Sequence, residues 1–238
     1  MKTLTSFRLK ILGSIFMILN NVYVYIGMID GIYIPIWFGY LGQLAAPIFF
    51  YLIVEGFFHT KDRKRYLSRI IYSAILMSYI DIKFRVHNNI FYSLALSIML
   101  MMSIEALELT KNKISFKGFK IIIGIILICI VYILTEASIY GLLMTLIFYY
   151  LRNNKRCMFI CYTLLSLIPL IAASFLDTDF LDAILKWDYQ WMMIFGIIPI
   201  LLYNGKLGVN NKYAKWMFYI LYPLHLIILS IIRDIIKL

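Results

Sequence analysis

Nine apolar segments separated by short polar stretches run along the chain of 238 residues. Within each segment apolar residues cover every face of a helix, which is typical of helices that contact lipid or lie inside a bundle. A membrane-spanning helix needs about 20 such residues. The pattern predicts an all-α fold, a polytopic transmembrane helical bundle that forms a single domain over residues 1–238. Its nine spans are predicted at about 9–28, 36–58, 66–81, 90–109, 118–134, 138–151, 157–174, 189–204 and 215–232.

Basic residues concentrate in alternate connections between these segments. Eighteen of the 23 Lys and Arg residues fall in the N-terminal stretch and in the loops around 61–69, 111–120, 152–156 and 206–215. Because cytoplasmic loops of membrane proteins carry the excess of Lys and Arg, the pattern predicts a cytoplasmic N-terminus and an external C-terminus. The net charge of +11 is spread over short loops and does not form one soluble face. The expected partner is therefore the lipid bilayer, and nucleic-acid binding is not expected.

A few ionisable residues lie within or beside the apolar segments, where they are costly and often functional. Glu55 and His59 are four residues apart, so they share a helix face and are predicted to pair. One interpretation is a structural pair that anchors a helix end; the other makes His59 a general base whose tautomer Glu55 sets. His225 follows Pro223 closely in the last segment. It is either satisfied by a neighbouring carbonyl or a second candidate base.

Two groups of polar residues flank the basic side of the predicted bundle. A basic run begins after His59, and it either marks the cytoplasmic face or holds the phosphates of an anionic cofactor. The turn that contains Asn204 either caps a site or is only a loop. Three cysteines lie inside apolar segments and are interpreted as small hydrophobic residues, so no metal site is predicted. The predicted cofactor-binding set is Lys61, Arg63, Lys64, Arg65 and Lys206.

Several stretches carry a family resemblance. The segment GQLAAPIFFYLIVEGFFHTKDRKRY (42–66) resembles the hallmark of the TraX family of membrane proteins, and similar stretches follow the family order elsewhere. The most specific of these are YNGK and YPLH, within 198–229. Since the named member of that family acetylates the N-terminus of F-pilin, the resemblance implies a multi-pass membrane acetyltransferase of the bacterial inner (cytoplasmic) membrane. It would use acetyl-CoA to modify an amine or hydroxyl on a peptide or cell-envelope substrate.

The chain departs from the family pattern at three positions. Asn20 and Asn21 stand where the pattern has an ionisable Asp-His-like pair, and Gln43 stands where it usually has arginine. An asparagine cannot accept a proton near neutral pH, so the base is either His59 or His225, or the chain is a non-catalytic binding, immunity or accessory protein. A transporter is a third alternative, although no paired broken helices favour it. The predicted substrate cavity consists of Asn20, Asn21, Gln43 and Asn204, with Glu55, His59 and His225 nearby.

Overall fold

The computed structural model describes residues 3–29, 32–86, 89–110, 115–176, 180–209 and 211–236. Over these residues the prediction of an all-α fold is confirmed. The exception is a two-residue antiparallel ribbon of Met28–Ile29 (β1) and Ile32–Tyr33 (β2). The helices are α1 Ser6–Tyr25, α2 Trp37–Gly42, α3 Ala45–His59, α4 Arg63–Phe84, α5 Ile90–Glu108, α6 Phe116–Ile133, α7 Ser138–Leu151, α8 Lys155–Leu176, α9 Phe180–Asp182, α10 Ile197–Leu201 and α11 Lys212–Ile236.

Short polar side chains begin several of these helices. Thr5, Asp62 and Ser115 each accept a hydrogen bond from a backbone N–H in the first turn of α1, α4 and α6 respectively. Such caps satisfy amides that have no partner inside the helix. At its other end α4 stops at Arg85, whose φ of 51° is left-handed. These local signals place the basic residues of the 61–69 stretch at a helix start.

Helical structure lies on each of the nine predicted segments, but the helices are not equally suited to cross a membrane. Among the described residues six helical stretches are long and apolar enough to do so: Ser6–Tyr25, Trp37–His59, Ile90–Glu108, Phe116–Ile133, Lys155–Phe175 and Trp216–Ile236. The stretches Ser138–Leu151 and Gln190–Leu201 are shorter, and the second begins as a 3₁₀ helix. The structure is that of a multi-pass membrane protein.

Helix α3 lies at the centre of the bundle. The span that contains it is 72% buried inside the protein, whereas the span formed by α6 is only 11% buried and lies at the periphery. α3 packs against α1, α5, α7 and α10. Its buried side chains include Phe50, Val54 and Phe57. Because α3 touches so many neighbours, its buried Glu55 faces the interior of the bundle and not lipid.

The connection around 175–188 contains short helical turns, and residues 177–179 lie outside the described residues. After them come the single turn α9 and a π-helical turn, Ala183–Trp187. Lys186 Nζ lies 2.7 Å from Asp182 Oδ2, the i, i+4 spacing of a helix-surface pair. This connection then leads into the 3₁₀ helix that begins at Gln190.

Candidate functional site

The predicted pairing of Glu55 with His59 is wrong. Glu55 Oε1 accepts a hydrogen bond of 2.6 Å from Arg152 Nε, and Glu55 Oε2 lies 3.5 Å from Arg152 Nη2. Arg152 follows the last residue of α7, and its guanidinium also lies 4.6 Å from the centre of the Phe58 ring. A guanidinium offers two parallel donors to a carboxylate, which an imidazole cannot do. Glu55 is therefore neutralised by a neighbouring helix, and His59 stays exposed at the end of α3.

A cavity of about 290 Å³ opens where the basic loops gather; we call it the basic cavity. Its apolar lining includes buried side chains, whereas His59 in the polar part of the lining is exposed. Phe49, Leu94 and Phe218 are among the apolar lining residues. Tyr203 also lines it and is 3% exposed. The charged and small polar lining residues are Ser6, Lys10, Glu55, His59, Thr60 and Arg69.

The cations that line this cavity are not the ones predicted as cofactor-binding. Lys10 and Arg69 line it, and both were missed by the sequence analysis. On α4 the cavity face is formed by Tyr66, Arg69 and Ile70, at the i, i+3, i+4 spacing of one helix face. That spacing is the feature of the sequence from which the position of Arg69 could have been predicted. The predicted residues Lys61, Lys64, Arg65 and Lys206 are exposed outside the lining, and Arg63 is half-buried there.

Arg63 has a structural role at this face. Its guanidinium forms a salt bridge with Glu105 of α5 and lies 4.2 Å from the centre of the Phe57 ring. Asn204 is also turned away from both cavities. Its side-chain oxygen accepts a hydrogen bond of 2.9 Å from the backbone N–H of Lys206, and its own backbone N–H donates to Leu4 O at 2.9 Å. Asn204 therefore closes a turn against the N-terminal segment.

A second cavity, of about 260 Å³, lies further along α1 and α3; we call it the amide cavity. Here the structure brings together three of the predicted substrate-cavity residues, Asn20, Asn21 and Gln43. Gly42 makes this possible, since a Cβ at that position would lie 2.4 Å from Asn20 Cβ. Other polar lining residues, which the sequence analysis did not select for this site, are Glu136, Tyr140, Gln190 and Tyr222.

His225 is bound to Asn21 behind the amide cavity. Asn21 Nδ2 lies 2.7 Å from His225 Nε2, and His225 Nδ1 lies 2.9 Å from Leu221 O. Because a carbonyl oxygen only accepts, Nδ1 carries the proton, and Nε2 then accepts from the Asn21 amide. His225 is 7% exposed and lines neither cavity. Both ring nitrogens are thus engaged in contacts between and within helices.

The prediction of one shared cavity is corrected to two. Glu55 and His59 line the basic cavity, whereas Asn20, Asn21 and Gln43 line the amide cavity. Phe49 lines both. His59 lies ten residues beyond Phe49 on α3, which corresponds to about 15 Å at 1.5 Å per residue. The polar residues near the end of α3 therefore line a different cavity from the polar residues beyond Phe49.

Comparison with known proteins agrees with the motifs. A family model described as TraX protein matches residues 6–233. The chain belongs to the TraX family. It is also 22% identical over 242 aligned positions to a protein of Dichelobacter nodosus named "Probable fimbrial assembly protein FimC, serogroup H1", with 94% of each chain covered. No solved structure matches this TraX-family chain.

Proposed function

We propose that this TraX-family protein is an integral membrane acetyltransferase. It transfers an acetyl group from acetyl-CoA to an amine or hydroxyl on a peptide or cell-envelope substrate. The observation that carries the proposal is the basic cavity, whose lining combines Lys10, Arg69 and His59 with buried apolar side chains that we call the apolar chamber. The cations suit the phosphates of the donor, and the apolar chamber suits its acyl-bearing arm.

The chemistry assigned to the cavity needs one base and one set of anion-binding groups. Acetyl-CoA supplies a thioester, whose carbonyl carbon is attacked by the acceptor nitrogen or oxygen while the carbon–sulfur bond breaks. In this proposal His59 takes the proton that the acceptor loses, because its exposed imidazole lines the cavity and histidine is the side chain that most often acts as a general base. The Tyr203 hydroxyl also lines the cavity and can donate a hydrogen bond.

The exposed basic run extends the same site outwards. Lys61, Lys64 and Arg65 lie in the loop and first turn that follow His59, and Lys206 lies on a second exposed loop. In the proposal these residues hold the nucleotide phosphates of acetyl-CoA, which a cavity of about 290 Å³ is too small to enclose together with the rest of the molecule. Lys10 and Arg69 then contact the part of the donor nearest the chamber.

The proposed topology has nine spans in one domain, with the N-terminus in the cytoplasm and the C-terminus outside. The split of the basic residues between the two sets of connections supports it. The bacterial cytoplasmic membrane is the proposed location, because acetyl-CoA is a cytoplasmic metabolite. Reporter fusions after Lys155 and after Asp182 test this arrangement. The first is expected to report cytoplasmic and the second external, and an external signal at Lys155 would overturn the count.

The acceptor in this proposal is a pilin-like or fimbrial component. It rests on membership of the TraX family and on the name of the Dichelobacter nodosus protein, which describes fimbrial assembly. The amide cavity supports a peptide-like acceptor group, since its lining of Asn, Gln and Tyr side chains offers both donors and acceptors.

A second candidate, a non-catalytic binding or accessory protein, is favoured by one contact. Asn21 stands where the family pattern has an ionisable residue, and its side-chain amide donates a hydrogen bond to Nε2 of His225. A histidine held in this way serves as a link between α1 and α11. In that case the amide cavity binds a peptide without changing it.

One experiment separates these candidates. Purified protein is incubated with labelled acetyl-CoA, and both bound label and released CoA are measured. The enzyme is expected to bind the donor and to hydrolyse it slowly without an acceptor, and Lys10→Gln and Arg69→Gln are expected to weaken binding. Arg156→Gln, which removes an exposed charge outside the lining and outside the proposed phosphate-binding residues, is the matched control. Absence of binding by the unmodified protein would overturn the acetyltransferase proposal.

A further inference from the structure

Phe49 is the side chain that the two cavities have in common. It lies on the central helix α3 and is 3% exposed. Its ring lies 4.6 Å from the ring of Phe218 on α11, measured between centroids. It also packs over Gly13 of α1, where an added Cβ would lie 3.2 Å from the ring. The aromatic contact and the close approach of α1 together hold this ring in position.

The lining of the basic cavity changes from charged to apolar along α3 towards Phe49. Its exposed His59 marks one end of the helix, and Phe49 lies about 15 Å further in. Lys10 lies in the second turn of α1 and Arg69 in the second turn of α4, so the charged lining is close to the helix ends. A ligand with an anionic end and an apolar end therefore enters with its apolar end towards Phe49.

Space continues behind the Phe49 ring. Ala45 and Ala46 precede Phe49 by four and three residues on the same helix face, and both line the amide cavity. Met17 of α1 lines it as well. The part of the amide cavity next to Phe49 is thus lined by small or apolar side chains. If the ring were removed, the two cavities would join through an apolar passage.

We propose that Phe49 is the end wall of the basic cavity and limits the acyl chain of its thioester substrate to a short one. This inference rests on the acetyltransferase function proposed above. Phe49 is a specificity-determining residue in it and takes no part in proton transfer. An acetyl group ends before the ring, whereas a longer chain meets the ring and cannot enter without displacing it from between Gly13 and Phe218.

The test measures the affinities of the unmodified protein and its variants for acetyl-, butyryl-, hexanoyl- and octanoyl-CoA by competition against labelled acetyl-CoA. The unmodified protein is expected to bind acetyl-CoA at least as well as the longer thioesters. Phe49→Ala is expected to reverse this order, with up to roughly fourfold tighter binding for each added methylene that becomes buried. Phe49→Leu is expected to give an intermediate profile, and it decides the question if Phe49→Ala does not fold.

Phe148→Ala is the matched control, because Phe148 is fully buried on α7 and lines neither cavity. An unchanged order of affinities in the Phe49 variants overturns the inference while the acetyltransferase proposal stands. A reversal that Phe148→Ala reproduces also overturns it, because general loosening of the core would then be the cause. Absence of any acyl-CoA binding by the unmodified protein overturns both proposals together.

Discussion

The basic cavity and the amide cavity are nearly equal in size, at about 290 and 260 Å³, but they differ in how their polar groups are supported. In the basic cavity Glu55 is neutralised by Arg152, and Lys10 and Arg69 contribute positive charge. In the amide cavity most polar lining groups are neutral amides and hydroxyls, and Glu136 is the exception among those described. Charge selects a ligand by its sign, whereas amides and hydroxyls select by the direction of hydrogen bonds.

The largest effect is expected from breaking the charge pair beneath the basic cavity. Arg152→Ala leaves Glu55, which is 5% exposed, without its partner. A buried charge that loses its partner destabilises a protein by about 3 kcal/mol or more. Thermal unfolding in detergent measures the loss. Arg156→Ala, an exposed neighbour, is the control and is expected to change the unfolding temperature little.

Adding Glu55→Gln to Arg152→Ala removes the unpaired charge, so most of the lost stability is expected to return. If Arg152→Ala alone unfolds no more easily than Arg156→Ala, the pair does not support the basic cavity, and the contrast between the two cavities loses its basis.

The next largest effect concerns the proton acceptor. Because His59 is exposed to the basic cavity and His225 is engaged with Asn21, His59→Ala is expected to lower acetyl transfer by about 100-fold. Folding is expected to be unaffected, since the side chain lies at an exposed helix end. Turnover with labelled acetyl-CoA, compared with the yield of folded protein, measures this. Unchanged turnover would show that the proton is not taken up by His59 in the basic cavity.

A smaller effect is expected from the cations of the basic cavity. Lys10→Gln and Arg69→Gln each remove one charge from the lining, and each is expected to weaken binding of acetyl-CoA by about tenfold, the loss of one charge-assisted hydrogen bond. Binding to each variant is also expected to depend less on salt, because one charge fewer is screened. Titrations at low and high ionic strength measure both changes. Equal losses in Arg156→Gln, an exposed charge outside the lining, would indicate general attraction to the basic face.

The hydrophobic pattern predicted the positions of the helices better than the positions of their ends or their contacts. The third segment was predicted at 66–81, and the helix runs Arg63–Phe84 because Asp62 caps it before its apolar part begins. The four-residue spacing of Glu55 and His59 correctly indicated that the two side chains share one face of α3, and both line the basic cavity. It had no means of selecting Arg152, which is 97 residues away in sequence, as the partner of Glu55.

Division of the site into two cavities also had no signal in the sequence. Phe49 is one aromatic residue in a long apolar run, and its role depends on Gly13 and Phe218 from two other helices. Contacts between helices in a membrane depend on close packing of small and large side chains, which hydropathy does not record. By contrast, the sequence did predict that Asn20, Asn21 and Gln43 line one cavity. The physical reason is that polar groups within a membrane are costly unless they face one another or a polar cavity.

The smallest effect is expected from His225, and it sharpens the comparison from the side of the amide cavity. His225→Ala removes the acceptor of the Asn21 amide at 2.7 Å, so it is expected to cost about 1 kcal/mol of stability, the net value of one hydrogen bond. If the amide cavity binds the acceptor, its affinity for the acceptor is expected to fall by no more than about fivefold, because Asn21 is less well held. Binding of acetyl-CoA is expected to stay unchanged, since His225 does not line the basic cavity.

Ser230→Ala is the matched control for this change, because Ser230 is a buried polar residue of α11 whose hydroxyl donates to Phe84 O at 3.0 Å, away from both cavities. It is expected to cost similar stability without any effect on the acceptor. A 100-fold loss of turnover in His225→Ala, with His59→Ala fully active, would reverse the assignment: the base would then lie behind the amide cavity, and Asn21 would have to release Nε2 before each proton transfer.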